Sequence, residues 1–258
     1  MPDATPTSGS DAAPVGRGAT PRRDDAVAAL RAVVADAADY RCRHPRAAEV
    51  GGWWQQEPAV EVPARPAMRP GEGRDAAVLM LFCLPEVPDE EPYLLVTQRA
   101  AGLSAHPGQV ALPGGALEPE DSGPVAAALR EAGEEVGLDP AGIEVLGPLP
   151  PAPVPVSGFM VIPVLATTAD PGPMTPEAGE VDRVIRVPLS ALVDPANRST
   201  SLLHRRGTTF RGPAFVVDGT LIWGFTAILV DRMLARLGWE RPWDTRRTVD
   251  PQDFQIIG

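Results

Sequence analysis

Three carboxylates crowd the stretch LREAGEEVGL, where Glu131, Glu134 and Glu135 fall within two turns of an expected helix. At 100° per residue, Val125, Leu129, Ala132 and Val136 share an arc of about 60° and make an apolar stripe, while the three glutamates occupy a separate arc of about 100°. Glu131 and Glu135 are four positions apart and stand one above the other, so on a solvated face they repel at a cost of roughly 0.2 to 0.5 kcal/mol. A divalent cation reverses that sign. Mg2+ and Mn2+ favour oxygen ligands in octahedral geometry, completed by water and substrate phosphates, and one or two helix carboxylates at this spacing suit them. Spacing alone favours the solvated face. Upstream, however, stand Pro113, Gly114 and Gly115, and glycines permit a turn and a close backbone approach that a side chain would block. A loop feeding a helix start can also turn N–H groups toward phosphate oxygens.

The surrounding chain alternates in element type. Residues 24–40 have the Ala, Val and Leu content of a helix, and 51–73 form a Pro-rich connection carrying Trp53 and Trp54. The apolar run 76–84 and the stretch 93–98 read as strands. Residues 102–115 are loop-like with a short extended piece at 110–112, and the carboxylate helix spans about 123–136. A strand is expected at 143–146, followed by LGPLPPAPVPV, whose prolines make a stiff extended connection. Further strands are expected at 159–167, 181–187 and 215–217, with a closing helix at 221–237. This order predicts an α/β (α+β) protein with helices on the faces of a mixed sheet.

Composition narrows the chemistry. A net charge of −11 works against nucleic-acid backbones and anionic membrane surfaces, so a polyanionic substrate needs a metal or a few arginines. The chain of 258 residues has no lysine, which removes lysine Schiff bases and P-loop lysines. Its two cysteines, Cys42 and Cys83, provide no disulfide framework or CxxC metal site. His44 and His204 lack companions at metal spacing, and His106 reads as an exposed loop residue. Ser104 and His106 have no third member for a triad. Trp223 reads as core because the segment around it is apolar. The most apolar late stretch is interrupted by Asp231 and Arg232 and is too short to span a membrane. No signal-peptide pattern opens the chain, and a cytoplasmic protein is expected.

Taken together, GGALEPEDSGPVAAALREAGEEVGL resembles the signature of the Nudix hydrolases. Gly115 and Asp121 are followed by Arg130, Glu131, Glu134, Glu135, Gly137 and Leu138 in the R-E-x-x-E-E-x-G pattern. Asp121 stands where the general pattern has glutamate, and eight residues rather than seven separate it from Arg130. A loop of this length resembles the bacterial coenzyme A pyrophosphatase branch, as does the upstream LVTQRAAGLSAHPGQVALPGG, which matches that branch at Thr97, Arg99, Ala100, Gly108, Pro113, Gly114 and Gly115. Ser104 replaces the branch's second arginine and Leu112 its phenylalanine. The resemblance covers about residues 76–243.

The resemblance implies a Nudix-type α/β/α sandwich with a mixed β-sheet plus an N-terminal extension. With a Nudix domain at 75–245, the chain divides further into a tail at 1–23, read as disordered from its small, polar, Pro- and Gly-rich residues, a helix and Pro-rich connection at 24–74 and a C-terminal tail at 246–258. The resemblance also implies diphosphate hydrolysis with Mg2+ or Mn2+ held by Glu131 and Glu135, with Glu134 joining a second ion or its water shell. Arg130 and Asp121 have orienting roles, and Arg99, Gly114 and Gly115 bear on substrate. The general base comes from the helix, as Glu134, or from a later loop, where Glu180 leads with Glu177 behind it. The substrate is a small nucleotide: coenzyme A or a derivative, giving 3',5'-ADP and 4'-phosphopantetheine, or else ADP-ribose, NADH, a dinucleoside polyphosphate or a modified nucleotide. A silent nucleotide-binding regulator is the alternative from another class. A homodimer is left open.

Overall fold

The computed structural model describes residues 22–49, 51–55, 74–87, 90–154, 157–205 and 208–254. The expected tail at 1–23 thus lies almost entirely outside the described residues, as does most of the Pro-rich connection.

The central sheet is built on β1 (Arg74–Cys83), which runs parallel to β7 (Phe159–Thr168) along its whole length and antiparallel to β2 (Tyr93–Arg99). Beyond β2 lie β3 (Val110–Ala111) and β8 (Val181–Pro188), both antiparallel to it, while β4 (Gly114–Ala116) pairs with the first half of β1. On the far side, β5 (Glu144–Pro148) and β6 (Ala152–Val154) pair with β7. The expected mixed sheet is therefore present. The proline-rich stretch is partly strand rather than simple connection, because Pro148 and Pro153 sit on the outer side of β7, where a missing N–H breaks no inner ladder.

Period-two alternation sends the apolar side chains of β1 to two different cores. Ala77, Leu79, Leu81 and Cys83 pack with Tyr93, Leu95 and Val164 beneath α3 (Pro124–Val136). Met80, Phe82 and Leu84 pack with Leu94, Val96 and Leu165 on the opposite face, against α1 (Arg23–Arg43) and α5 (Gly224–Arg236). Helices thus cover both faces of a mixed sheet. The apolar run 76–84 is continuous because both faces of this strand are buried.

A second sheet, β11-β10-β9-β12, went largely unread in the sequence. It contains β9 (Arg198–Arg205), β10 (Thr208–Val217), β11 (Thr220–Ile222) and β12 (Thr248–Val249). The closing helix accordingly starts at Gly224, since Leu221 and Ile222 belong to β11. Within the stretch read as a C-terminal tail, β12 pairs with β9, and Pro251–Phe254 makes a 3-10 turn. No helix among the described residues is long and apolar enough to cross a membrane.

The N-terminal elements belong to the core. Ala26, Leu30, Val33 and Ala37 of α1 are buried, as are Trp53 and Trp54, in a 3-10 turn that follows the short α2 (Pro45–Glu49). The Trp53 indole donates to Asp36, and the Trp54 indole to the Pro150 carbonyl. Arg236 of α5 lies over the Trp53 ring at 3.6 Å and donates to the Trp53 carbonyl, while Arg232 donates to that of Trp54. Trp53 is 1% exposed, so Trp53→Ala is expected to cost about 3 to 5 kcal/mol in urea unfolding. Val87→Ala, at a position 53% exposed, should stay within roughly 0.5 kcal/mol of the parent.

Candidate active site

The carboxylate helix α3 begins at Pro124, whose missing N–H is harmless in a first turn. It ends at Gly137 in the left-handed conformation, where the Gly137 N–H reaches the Gly133 carbonyl and the Leu138 N–H that of Ala132. Its buried residues are Ala127, Ala128, Ala132, Glu135 and Val136, with Val125 and Leu129 at the margin. Glu135 therefore lies inside the buried face and not on a separate solvated arc. It is 6% exposed.

The Gly114 N–H donates to the Glu135 carboxylate at 3.2 Å. Gly114 can stand there because β4 presses on β1: a Cβ at this position would lie 2.3 Å from the Ala77 carbonyl oxygen, and φ is +153°. Gly115 leaves room for Glu131, whose carboxylate oxygens would lie 2.4 and 2.6 Å from an added Cβ. The Pro-Gly-Gly turn thus positions both carboxylates. The Gly114 N–H, expected to bear on substrate, here meets the Glu135 carboxylate.

Burial pushes the Glu135 carboxyl up to about 7, against the Gly114 hydrogen bond, and the charges of Glu131 and Glu180 push the same way while Arg99 opposes them. Burial also raises Glu131, although the Arg130 guanidinium draws it back down. Glu134 and Glu135 moreover occupy the last turn of α3, at the negative end of the helix dipole, and that turn has no basic residue. Two partly desolvated carboxylates with so little compensation fit a divalent cation. Glu131 and Glu135 would be the residues to hold it, with water and phosphate oxygens completing the shell.

Arg130 does more than orient Glu134. It grips Asp121 through Nε at 3.1 Å and Nη2 at 3.0 Å, and Nη1 reaches Glu131 at 3.1 Å and Glu134 at 2.9 Å. Nη2 also donates to the Ala116 carbonyl, which ties the helix to β4. Asp121 accepts from the Glu118 N–H as well, and the Arg130 guanidinium holds its carboxyl below the usual range. The Glu134 side chain is 59% exposed.

The later loop meets the site through its backbone. The Thr175 and Glu177 N–H groups donate to the Val136 and Glu135 carbonyls, closing the end of α3, and the Glu180 carbonyl accepts from Ala100 next to Arg99. This pairing had no side-chain pattern to announce it. Glu180 and Glu177 are both exposed, and Glu180 is near enough to Glu135 for its charge to be felt. The Arg99 Nε is buried without a hydrogen-bond partner. His106 and Ser104 are exposed, as expected for the loop. Trp223 is not core: it is half-buried and lines a cleft on the other side of β2.

Comparison with known proteins places the chain in a family. The Nudix domain family matches residues 73–206, more than half of the 258 residues, and the chain belongs to that family. It is a Nudix hydrolase, acting on a phosphorus-containing anhydride in a nucleoside diphosphate derivative. The chain is 39% identical over 169 residues to the Nudix hydrolase NudL of Cronobacter sakazakii, covering 66% of this chain and 85% of that one. NudL of Salmonella paratyphi B is 38% identical over 165 residues, covering 64% and 83%. Among solved structures, the Nudix hydrolase RenU of M. smegmatis aligns with a TM-score of 0.37 at 25% identity, over 49% of this chain and 78% of that one.

Two outcomes follow from this packing. With Glu135 raised to about 7 from an ordinary value near 4.3, the metal-free fold holds a proton there that the unfolded chain releases, so its stability falls as pH rises from about 4.3 to 7. At roughly 1.4 kcal/mol per unit, metal-free Glu135→Gln should gain on the order of 4 kcal/mol at pH 8 and melt about 10 °C higher than the parent. The two proteins should melt together near pH 4, and a lower melting temperature for the variant at pH 8 would contradict the account. Gly115→Ala should retain its circular dichroism spectrum but lose at least about tenfold in metal-dependent hydrolysis, as displacement of a metal-orienting group does.

Proposed function

We propose that this hydrolase cleaves the diphosphate bond of coenzyme A or its derivatives, giving 3',5'-ADP and 4'-phosphopantetheine, with Mg2+ or Mn2+ held by Glu131 and Glu135. The observation that carries the reading is Arg99. It lies in the LVTQRA segment that resembles the coenzyme A branch, and its buried Nε has no partner beside Glu135. A buried guanidinium N–H without an acceptor fits a phosphate oxygen, since arginine meets phosphate through charge-assisted hydrogen bonds.

A bound divalent ion would shield phosphate charge and acidify the attacking water. The chain's own residues supply position and proton transfer. Arg130 and Asp121 hold Glu131 and Glu134 in place, and the Gly114 N–H holds Glu135. Glu180 takes the proton from water as its oxygen bonds to phosphorus and the bridging oxygen departs with the other phosphate. Its loop is tied to both the end of α3 and the end of β2, whereas Glu134 is engaged with Arg130. The setting in this reading is the cytoplasm and the substrate a small soluble nucleotide, for which Arg99 and a bound cation would offset the net charge of −11. The exposed Ser104, in place of the branch's second arginine, favours a second reading, another nucleoside diphosphate such as ADP-ribose.

The test is a panel of coenzyme A, acyl-coenzyme A, NADH, ADP-ribose and dinucleoside polyphosphates with Mg2+ or Mn2+, with product masses measured. Turnover of coenzyme A that collapses in Glu135→Gln is expected, and cleavage of other members while coenzyme A stays intact would overturn the substrate assignment. Glu180→Gln should lower kcat by roughly a hundredfold or more, the scale of general-base loss, with KM little changed.

A further inference from the structure

Across β2 from the carboxylates lies a second cleft of about 250 Å³, bounded by the 107–110 loop, β8, β11 and the C-terminal 3-10 turn. Its apolar walls include Trp223, Leu221 and Phe254. Phe254, 37% exposed, is one of only two large apolar side chains left open to solvent among the described residues. The polar rim is fixed in place. Arg183 donates through Nε to Gln98 Oε1 at 2.6 Å and through Nη2 to Thr220 Oγ1 at 3.1 Å, and Gln98 Nε2 donates to the Gly108 carbonyl at 3.1 Å. Those bonds leave Arg183 with further N–H donors, and Asp182 beside it adds an acceptor.

We propose that this cleft is the purine subsite of the enzyme, in which the base of the nucleoside diphosphate substrate stacks on Trp223 and offers its polar edge to Arg183, Gln98 and Asp182. A tryptophan in the lining, with anchored donors and an acceptor at the rim, suits a flat ligand that is apolar on its face and polar at its edge. The volume falls below the roughly 300 to 1,000 Å³ of a pocket for a whole ligand, so the cleft takes one end of a longer molecule. It also shares its wall with the diphosphate side. Gln98 precedes Arg99 in β2, the Arg99 N–H donates to the Gln109 carbonyl, and the Arg99 carbonyl accepts from Gly108. A ligand lying over the 100–109 loop would therefore touch the cleft at one end and Arg99 at the other. The assignment rests on the nucleoside diphosphate reading and is independent of which group completes the diphosphate.

The test uses the full chain and calorimetric titration with AMP and with ribose 5-phosphate, which keeps the phosphate and removes the base. The parent should bind AMP more tightly. Trp223→Leu, which retains apolar bulk, should weaken AMP roughly tenfold or more, the scale of base–aromatic stacking, and leave ribose 5-phosphate unchanged. Trp223→Phe should restore most of the difference. Equal affinity of the parent for the two ligands, equal loss of both in Trp223→Leu, or AMP binding indifferent to either substitution would overturn the proposal. Because hydrolysis is not the readout, inactivity toward coenzyme A would defeat the substrate assignment and leave this one standing.

Discussion

The Glu135 carboxylate is buried in the last turn of α3, where desolvation, the neighbouring Glu131 and the helix dipole all oppose its charge. Much of the local architecture exists to hold it there. Gly114 supplies the N–H, and β4 can bring that N–H close only because no side chain separates it from β1. The 175–177 backbone then caps the carbonyls at the end of the same helix and carries Glu180 toward Arg99. A fold that retains so costly a group at the edge of its core gives up stability for a site that is completed by ligand, the usual trade at functional positions.

Arg130 shows why the absence of lysine suits this site. One planar guanidinium reaches Asp121, Glu131, Glu134 and the Ala116 carbonyl, which a single ammonium on a flexible stem could not do with the same fixed geometry. The same fork answers a question left by the sequence. Asp121 is shorter than glutamate and separated from Arg130 by an extra residue, yet it meets the guanidinium with both oxygens. The longer loop offsets the shorter side chain, and the spacing of the helix carboxylates is undisturbed.

Legibility followed the range of the interactions. The α3 helix, the strands β1, β2, β7 and β8, and the pairing of Glu131 with Glu135 rest on local periodicity and could be read directly. Glu135 falls beside the apolar stripe in the helical projection, and its burial was not legible there because polarity usually marks exposure, a rule that a functional carboxylate breaks. The β9–β10 hairpin was read only at residues 215–217. Its strands contain Arg198, Thr200 and Ser201, which look exposed but are buried by pairing and by α5. Trp223 failed in the opposite sense: apolar neighbours suggested core, whereas it stands at the entrance to α5, where its backbone is still extended and its ring meets a cleft.

The same long-range contacts tie the N-terminal elements to the site. Asp231 of α5 is buried between Arg198 and Arg232, and Arg198 is sandwiched between the rings of Phe215 and Trp243 at 4.6 and 4.9 Å. Buried ion pairs of this kind add little net stability, since desolvation offsets attraction, but removing one partner strands the other. They act instead to fix how α5 lies. Its arginines grip Trp53 and Trp54 at one end, and at the other Thr226 donates to the Val110 carbonyl of β3 at 3.1 Å. From β3 the chain passes through Leu112 and Pro113 to Gly114, whose N–H holds Glu135. The N-terminal helix and tryptophans therefore cover the second face of the sheet and also set the helix against which the Pro-Gly-Gly segment is braced.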